Sequence, residues 1–187
     1  LDNSEPNLYR INQDIIKSNF KNTVFRSVLG DVCDYNFLKK LFSEEKIDIV
    51  FHAAAYKHVP MVENNPISGI KNNVFSTFAI VNACHDVGLE KFILISTDKA
   101  VRPSNVMGAS KRLSEQIVQA FASTEKKHTK YAMVRFGNVL GSSGSVVPLF
   151  EKQIKDGGPI TVTHPDVTRY FMTIKEAVHL VLYASAM

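Results

Sequence analysis

The stretch "KFILISTDKAVRPSNVMGASKRLSEQIVQAF", residues 91–121, decides how this chain folds. It opens on an apolar run, KFILI, the pattern of a short strand buried on both faces of a parallel sheet. It closes on KRLSEQIVQAF, which reads as a helix. Between them lie Thr97, Asp98 and Lys99, a short polar loop, and then Met107 and Lys111. Met107 and Lys111 stand four residues apart and so share one helix face. A buried strand that hands polar residues to a loop and then to a helix is half of a strand–helix–strand unit.

The same alternation continues on both sides. VFRSVLGDV (24–32) reads as a strand ending at an acid, YNFLKKLFSEEK (35–46) as a helix with Phe37, Leu38, Leu41 and Phe42 on one face. IDIVFHAAA (47–55) is a short buried strand, and ISGIKNNVFSTFAIVNACHDVG (67–88) a long helix stopped by Gly88. A helix over 104–124 and a strand over KYAMVRFGNVLG (130–141) follow. These elements predict an α/β fold with a Rossmann-like, doubly wound parallel sheet. After Gly141 the texture changes to GSSGSVV and PLFEKQIKDGGPITVTHPDVTRYF, the start of a smaller, loop-rich lobe over the sheet's carboxyl edge. Open α/β sheets bind ligands at that edge.

Composition narrows the class. Of 187 residues, 45% are hydrophobic and 21% charged, the balance of a globular domain large enough for its own core. The formal charge of +4 suits an anionic small molecule. Neither a basic stripe nor an aromatic ladder points to nucleic acid. No apolar run approaches the roughly 18–20 residues of a membrane span. Cys33 and Cys84 lack metal or redox spacing and read as reduced thiols. His52 and His58 have no third ligand at useful spacing, so no metal is expected. The chain begins at Leu1 and ends at Met187 inside an amphipathic run, and so reads as part of a longer protein cut at both ends.

Individual constellations leave two readings each. Asp2 sits where the second strand of a dinucleotide fold ends on an acid that bonds ribose hydroxyls, or in an exposed turn. Gly30-Asp31-Val32 is a strand end that meets adenine, or ordinary Gly-Asp turn chemistry. Ala53, Ala54 and Ala55 let a flat cofactor approach the backbone, or serve tight helix–sheet packing. Asn72 and Asn73 interrupt an apolar helix either as buried bridges or as a solvated face. Thr97, Asp98 and Lys99 place a hydroxyl, an acid and an amine together at a strand's carboxyl end, where they could move protons on a bound sugar. Lys57 and His58 could face substrate, and Phe136 and Asn138 could flank a flat ring. Arg169 suits a bidentate diphosphate contact or an exposed surface.

Taken together, HAAAYKHVPMVENNP, NNVFST, STDKAVRPSNVMGASKR, VRFGNVLGSSGSVVP and VTRYFMT follow one another in the order and spacing of one family. The chain resembles, along nearly its whole length, the UDP-N-acetylglucosamine 4,6-dehydratases of bacterial surface-polysaccharide and glycan synthesis. These belong to the extended short-chain dehydrogenase/reductase superfamily. STDKA with MGASK is the specific part of the likeness. The family's shorter members carry YxxxK, and its longer, membrane-anchored members carry methionine at the tyrosine position. Met107-Gly108-Ala109-Ser110-Lys111 resembles the longer type.

The resemblance implies residues 1–140 as part of an NAD(P)-binding domain whose first strand and Gly-rich turn lie upstream, and 141–187 as part of a substrate-binding lobe. It implies a cytoplasmic catalytic domain at the inner face of the membrane, in a homo-oligomer. The implied cofactor is NAD, favoured over NADP by Asp2, with Asp2, Ser4, Asp31, Val32, Ala53, Ala54, Ala55, Asn73, Lys111 and Phe136 around it. The implied substrate is UDP-N-acetylglucosamine or a related UDP-sugar, near Lys57, His58, Asn138, Val147, Pro148, Thr161 and Arg169. The implied reaction is oxidation at C4, loss of water across C5–C6 and return of hydride to C6. Asp98 is then the acid for the departing C6 oxygen, Lys99 the base at C5, Thr97 the partner of the C4 oxygen and Lys111 the ribose contact. Met107 has no titratable group, so Asp98 would also take the C4 proton. Two rivals remain from the same residues: a sugar-nucleotide 4-epimerase or dehydrogenase, and a non-catalytic nucleotide-binding module.

Overall fold

A computed structural model describes all residues except 19, 21, 125–127, 143–145, 163 and 167. It is an α/β, Rossmann-like fold: a parallel sheet with flanking helices. Strands β1 (Ile49–His52), β2 (Lys91–Thr97) and β3 (Lys130–Phe136) lie in the order β1-β2-β3, all parallel. Helices α1 (Glu5–Lys17) and α2 (Tyr35–Glu44) precede β1. α3 (Val59–Asn64), α4 (Pro66–Ile70), a π-helical turn (Lys71–Phe75) and α5 (Ser76–Val87) join β1 to β2. α6 (Val106–Ala122) joins β2 to β3.

The core explains the pattern. In β2, Phe92, Ile93 and Leu94 are buried, because helices cover both sides of a central parallel strand. Leu38 and Phe42 of α2, Ile80, Val81 and Cys84 of α5, and Val118 of α6 close around them. Gly88 ends α5 in the left-handed region, φ 76°, with its N–H on the Cys84 carbonyl. That conformation costs a residue without a Cβ nothing.

Three expectations are corrected. The strand expected over 24–32 is an extended segment joined to residues 1–3 by an isolated parallel bridge, Asp2 to Leu29. Val32 packs against the core, but other apolar side chains of the segment lack a covering layer: Val24 is 98% and Leu29 55% exposed. The strand expected over 130–141 breaks at Gly137, and Asn138–Val139 (β4) pairs in a separate sheet with Phe171–Met172 (β5). The helix expected over 67–88 carries a π-helical turn at Lys71–Phe75, where one extra residue per turn brings Asn73 inward. Beyond β4 come α7 (Val146–Lys155) and α8 (Ile174–Ala186), and α8 returns to lie against β2 and β3. Part of the glycine- and serine-rich stretch expected to open the lobe lies outside the described residues. Among the described residues no helix is long and apolar enough to cross a membrane.

Candidate active site

Two clefts meet at the carboxyl edge of the sheet. The first, about 850 Å³, runs between the Asp2–Leu29 bridge and β1. The second, about 810 Å³, lies beyond the ends of β1, β2 and β3. Ala53, Ala55 and Tyr56 border both, so the small residues after β1 form a shared floor.

The second cleft gathers the residues singled out by their chemistry. Thr97, Lys99, Met107, Lys111, Phe136 and Asn138 line it, and Lys57, His58, Thr161 and Arg169 close its far side. Asp98 stands at the rim with its carboxylate over Gly137, where a Cβ would come within 3.5 Å of it. The Thr97 hydroxyl donates to Asp98 Oδ1 at 2.9 Å, and Lys99 Nζ donates to the same oxygen at 3.2 Å. Burial works against the Asp98 charge, but the bonds from Thr97 and Lys99 outweigh it and hold the carboxyl below its usual range. Asp98 is therefore an anion at neutral pH, ready to accept a proton. Lys99 Nζ also reaches Asn138 Oδ1 at 3.5 Å, which ties the turn after β2 to β4.

Met107 and Lys111 reach the cleft because α6 starts close beneath it. The Asn105 side chain caps the helix by accepting from Gly108 N–H at 2.8 Å. Gly108 lets that turn touch the backbone after β2: a Cβ there would collide with the Lys99 carbonyl oxygen. Met107 is 3% exposed, an apolar wall. Lys111 is 5% exposed and donates to the Ile95 carbonyl at 2.8 Å. Burial brings its pKa down to about 8, while the Glu115 charge pulls it up. His52, at the end of β1, is held neutral, its pKa pushed down to about 3 by burial and by the Lys111 charge.

The first cleft is lined by Asp2, Val32, Ala53, Ala54 and Ala55. Asp2 Oδ1 accepts from Ser4 N–H at 2.7 Å, and its other oxygen has no partner among the described residues. Asp31 spends Oδ1 on Cys33 N–H at 2.9 Å, a turn contact, between the cleft-lining Gly30 and Val32. A carboxylate at one end, an alanine floor and a buried amine at the other end form a donor and acceptor set that could hold a dinucleotide across both clefts. Among the described residues no group of three His, Cys, Asp or Glu could hold a metal ion.

Besides Asp31 and the rim residue Asp98, four expected contacts do not line a cleft. Ser4 caps α1 and orients Asp2 through its backbone. Asn73 is 1% exposed, and its amide is consumed by Tyr56 N–H at 2.7 Å, the Tyr56 carbonyl at 3.0 Å and Ser110 at 2.9 Å. It braces the loop that carries Lys57 and His58 against α6. Val147 and Pro148 miss the cleft by helix phase: Val146 and Phe150, four apart on α7, face it instead. Residues missed by the sequence reading include Tyr56, His164 and Phe171, which line the second cleft, and the buried Glu115. Glu115 had left a signal, a carboxylate among apolar positions one turn beyond Lys111.

A parallel sheet whose carboxyl edge presents a hydroxyl, a carboxylate and two amines around one cleft, beside a second cleft floored by alanines, defines a Rossmann-type α/β domain. The chain belongs to the polysaccharide biosynthesis protein family, whose profile matches residues 1–187. The capsular polysaccharide biosynthesis protein CapD of Staphylococcus aureus is 48% identical over 187 residues, 100% of this chain and 31% of CapD. A UDP-glucose 4-epimerase of Rickettsia massiliae is 40% identical, over 92% of this chain and 50% of that protein. A UDP-N-acetylglucosamine 4,6-dehydratase (inverting) of Campylobacter jejuni is 37% identical, over 97% of this chain and 56% of that protein. Among solved structures, Pen from Bacillus thuringiensis matches with a TM-score of 0.91 at 34% identity, over 100% of this chain and 58% of Pen. DesIV, a dTDP-glucose 4,6-dehydratase from Streptomyces venezuelae solved with NAD and DAU bound, shares the fold with a TM-score of 0.79 at 20% identity, over 91% of this chain and 56% of DesIV. The chain thus spans less than two thirds of each of these proteins.

Proposed function

We propose that this chain is part of a UDP-N-acetylglucosamine 4,6-dehydratase of bacterial surface-polysaccharide or glycan synthesis. The observation that carries the reading is the Thr97–Asp98–Lys99 group, hydrogen-bonded together at the sheet's carboxyl edge and facing Met107 and Lys111. NAD, when bound, supplies the hydride acceptor for C4 and the hydride donor for C6. The ribose hydroxyls would meet the free oxygen of Asp2 at one end and the Lys111 ammonium at the other.

The chain's own residues then move the protons. Thr97 holds the C4 oxygen, and the Asp98 carboxylate takes the C4 hydroxyl proton as C4 is oxidised. Lys99, acting in its unprotonated amine form, removes the C5 proton. Asp98 then gives its proton to the C6 oxygen, which leaves as water. Hydride returns to C6, and Lys99 returns a proton to C5. The net change is the loss of one water. Met107 lines the place beside C4 without titrating. Arg169 and Lys57 supply positive charge for the substrate diphosphate. The whole protein would be a homo-oligomer, anchored elsewhere in its chain at the inner face of the membrane.

Incubation with UDP-N-acetylglucosamine and NAD in deuterated water tests this. A product lighter by one water and carrying solvent deuterium at C5 is the expected result. The 4-epimerase reading draws on the Rickettsia relative; it predicts unchanged covalent composition and inverted C4. Absence of any reaction with cofactor bound would mean a binding module. Met107→Tyr is expected to keep activity within about tenfold, since the position is a wall and not a proton carrier. Complete loss of turnover would overturn that role.

A further inference from the structure

The strongest feature outside the proton-transfer group is a buried carboxylate. Glu115 of α6 is fully buried, at 0% exposure, one helical turn beyond Lys111. Three elements converge on it. Ser96 at the end of β2 donates to Oε1 at 2.7 Å. Arg135 of β3 donates through Nε to Oε1 at 2.7 Å and through a terminal nitrogen to Oε2 at 2.5 Å. Arg112, on α6 itself, donates to Oε2 at 3.1 Å. Ser96 and Arg135 are register partners in the parallel pair, so the clamp sits one residue before Thr97 and Phe136 enter the cleft. Burial opposes the Glu115 charge, yet the bonds from Arg135, Ser96 and Arg112 hold its carboxyl down to about 2.

We infer that Glu115 is a positioning residue: the buried anion that keeps Lys111 protonated while pinning the ends of β2 and β3 to α6. The clamp sets one carboxylate against two guanidinium groups, so Glu115 is its one negative charge, a helical turn from a buried amine. The groups around Lys111 leave Glu115 as its anion inside the protein. From β1 comes His52, which is neutral. The turn after β2 brings Asp98 and Lys99, paired with each other at the rim. β3 brings Arg135, and α3 brings Glu63 to the backbone of Val106. Arg135 and Arg112, both on Glu115, oppose a charge on Lys111. Glu115 offsets them. The consequence for the cofactor ribose rests on the dinucleotide reading above; the protonation of Lys111 does not.

The test is the pH titration of the Lys111 Cε resonance in protein labelled with [6-13C]lysine, assigned by its loss in Lys111→Arg. Glu115→Gln keeps the shape and removes the charge, and should move the Lys111 midpoint about one pH unit lower. Arg112→Gln, at a position 39% exposed and so tolerant of change, removes a competing cation and should move it higher. Ser96→Ala removes one bond but no charge and should leave it in place. If Glu115→Gln fails to fold, the Arg112→Gln shift decides alone. Unmoved midpoints in the charge variants, or an equal fall in Ser96→Ala, would overturn the inference. This readout needs no cofactor and no turnover, so an inactive protein with the expected shifts would sink the dehydratase reading and leave Glu115's role standing.

Discussion

Asp98→Asn is expected to reduce dehydration by about 10²–10⁴-fold, the range typical for loss of a general acid–base group. The carboxylate is ionised and held toward the cleft by Thr97 and Lys99. An amide of the same shape keeps the geometry but can neither take the C4 proton nor return one to the C6 oxygen. Met107 cannot stand in, because a thioether carries no proton. The cofactor-facing groups of the first cleft lie elsewhere, so NAD affinity should change little. Single-turnover assays and NADH binding by fluorescence separate the two effects. Turnover within tenfold of the parent would remove Asp98 from the proton path.

Gly108→Ala should be the second most damaging change, with kcat/KM down by about 10²-fold. The added Cβ would strike the Lys99 carbonyl oxygen and lie 3.2 Å from the Lys99 carbonyl carbon and from Pro103 Cβ. The oxygen is backbone, so the conflict is relieved only by lifting the start of α6 off the turn after β2. Met107 and Lys111 ride on that turn of helix, and Lys99 lies under it. Overpacking of this kind costs about 1–3 kcal/mol of stability. A moderate fall in melting temperature with a large fall in kcat/KM is therefore expected. A variant with full kcat/KM would show that the distance between α6 and the Thr97–Lys99 turn is not critical.

Much of this molecule was legible before its structure. The run 92–95 is apolar because β2 is covered on both faces, and Gly88 ends α5 because its φ is positive. Thr97, Lys99, Met107 and Lys111 do share one cleft. Other readings failed for specific reasons. Residues 24–32 alternate like a strand, yet only Leu29 is bridged, since a strand requires a partner along its length. Asn73 reads either as a buried bridge or as a solvated face, and the structure makes it the bridge, its amide joined to both backbone groups of Tyr56 and to Ser110. Val147 and Pro148, which the resemblance puts near substrate, stand one helix phase away from Val146 and Phe150, which line the cleft.

Periodicity and turn residues alone fixed the alternation of β1, α5, β2, α6 and β3 and the set of chemical groups at the sheet edge. Periodicity, caps and covalent spacing are local, and they act before any long-range contact forms. Long-range packing alone brings Lys99 to Asn138, buries Lys111 on the Ile95 carbonyl and sets Glu115 against Ser96 and Arg135. Those contacts join residues 16 to 39 positions apart in the chain. They depend on the register that sets Ser96 beside Arg135, and a slip of β3 by one residue would turn Arg135 to the opposite face.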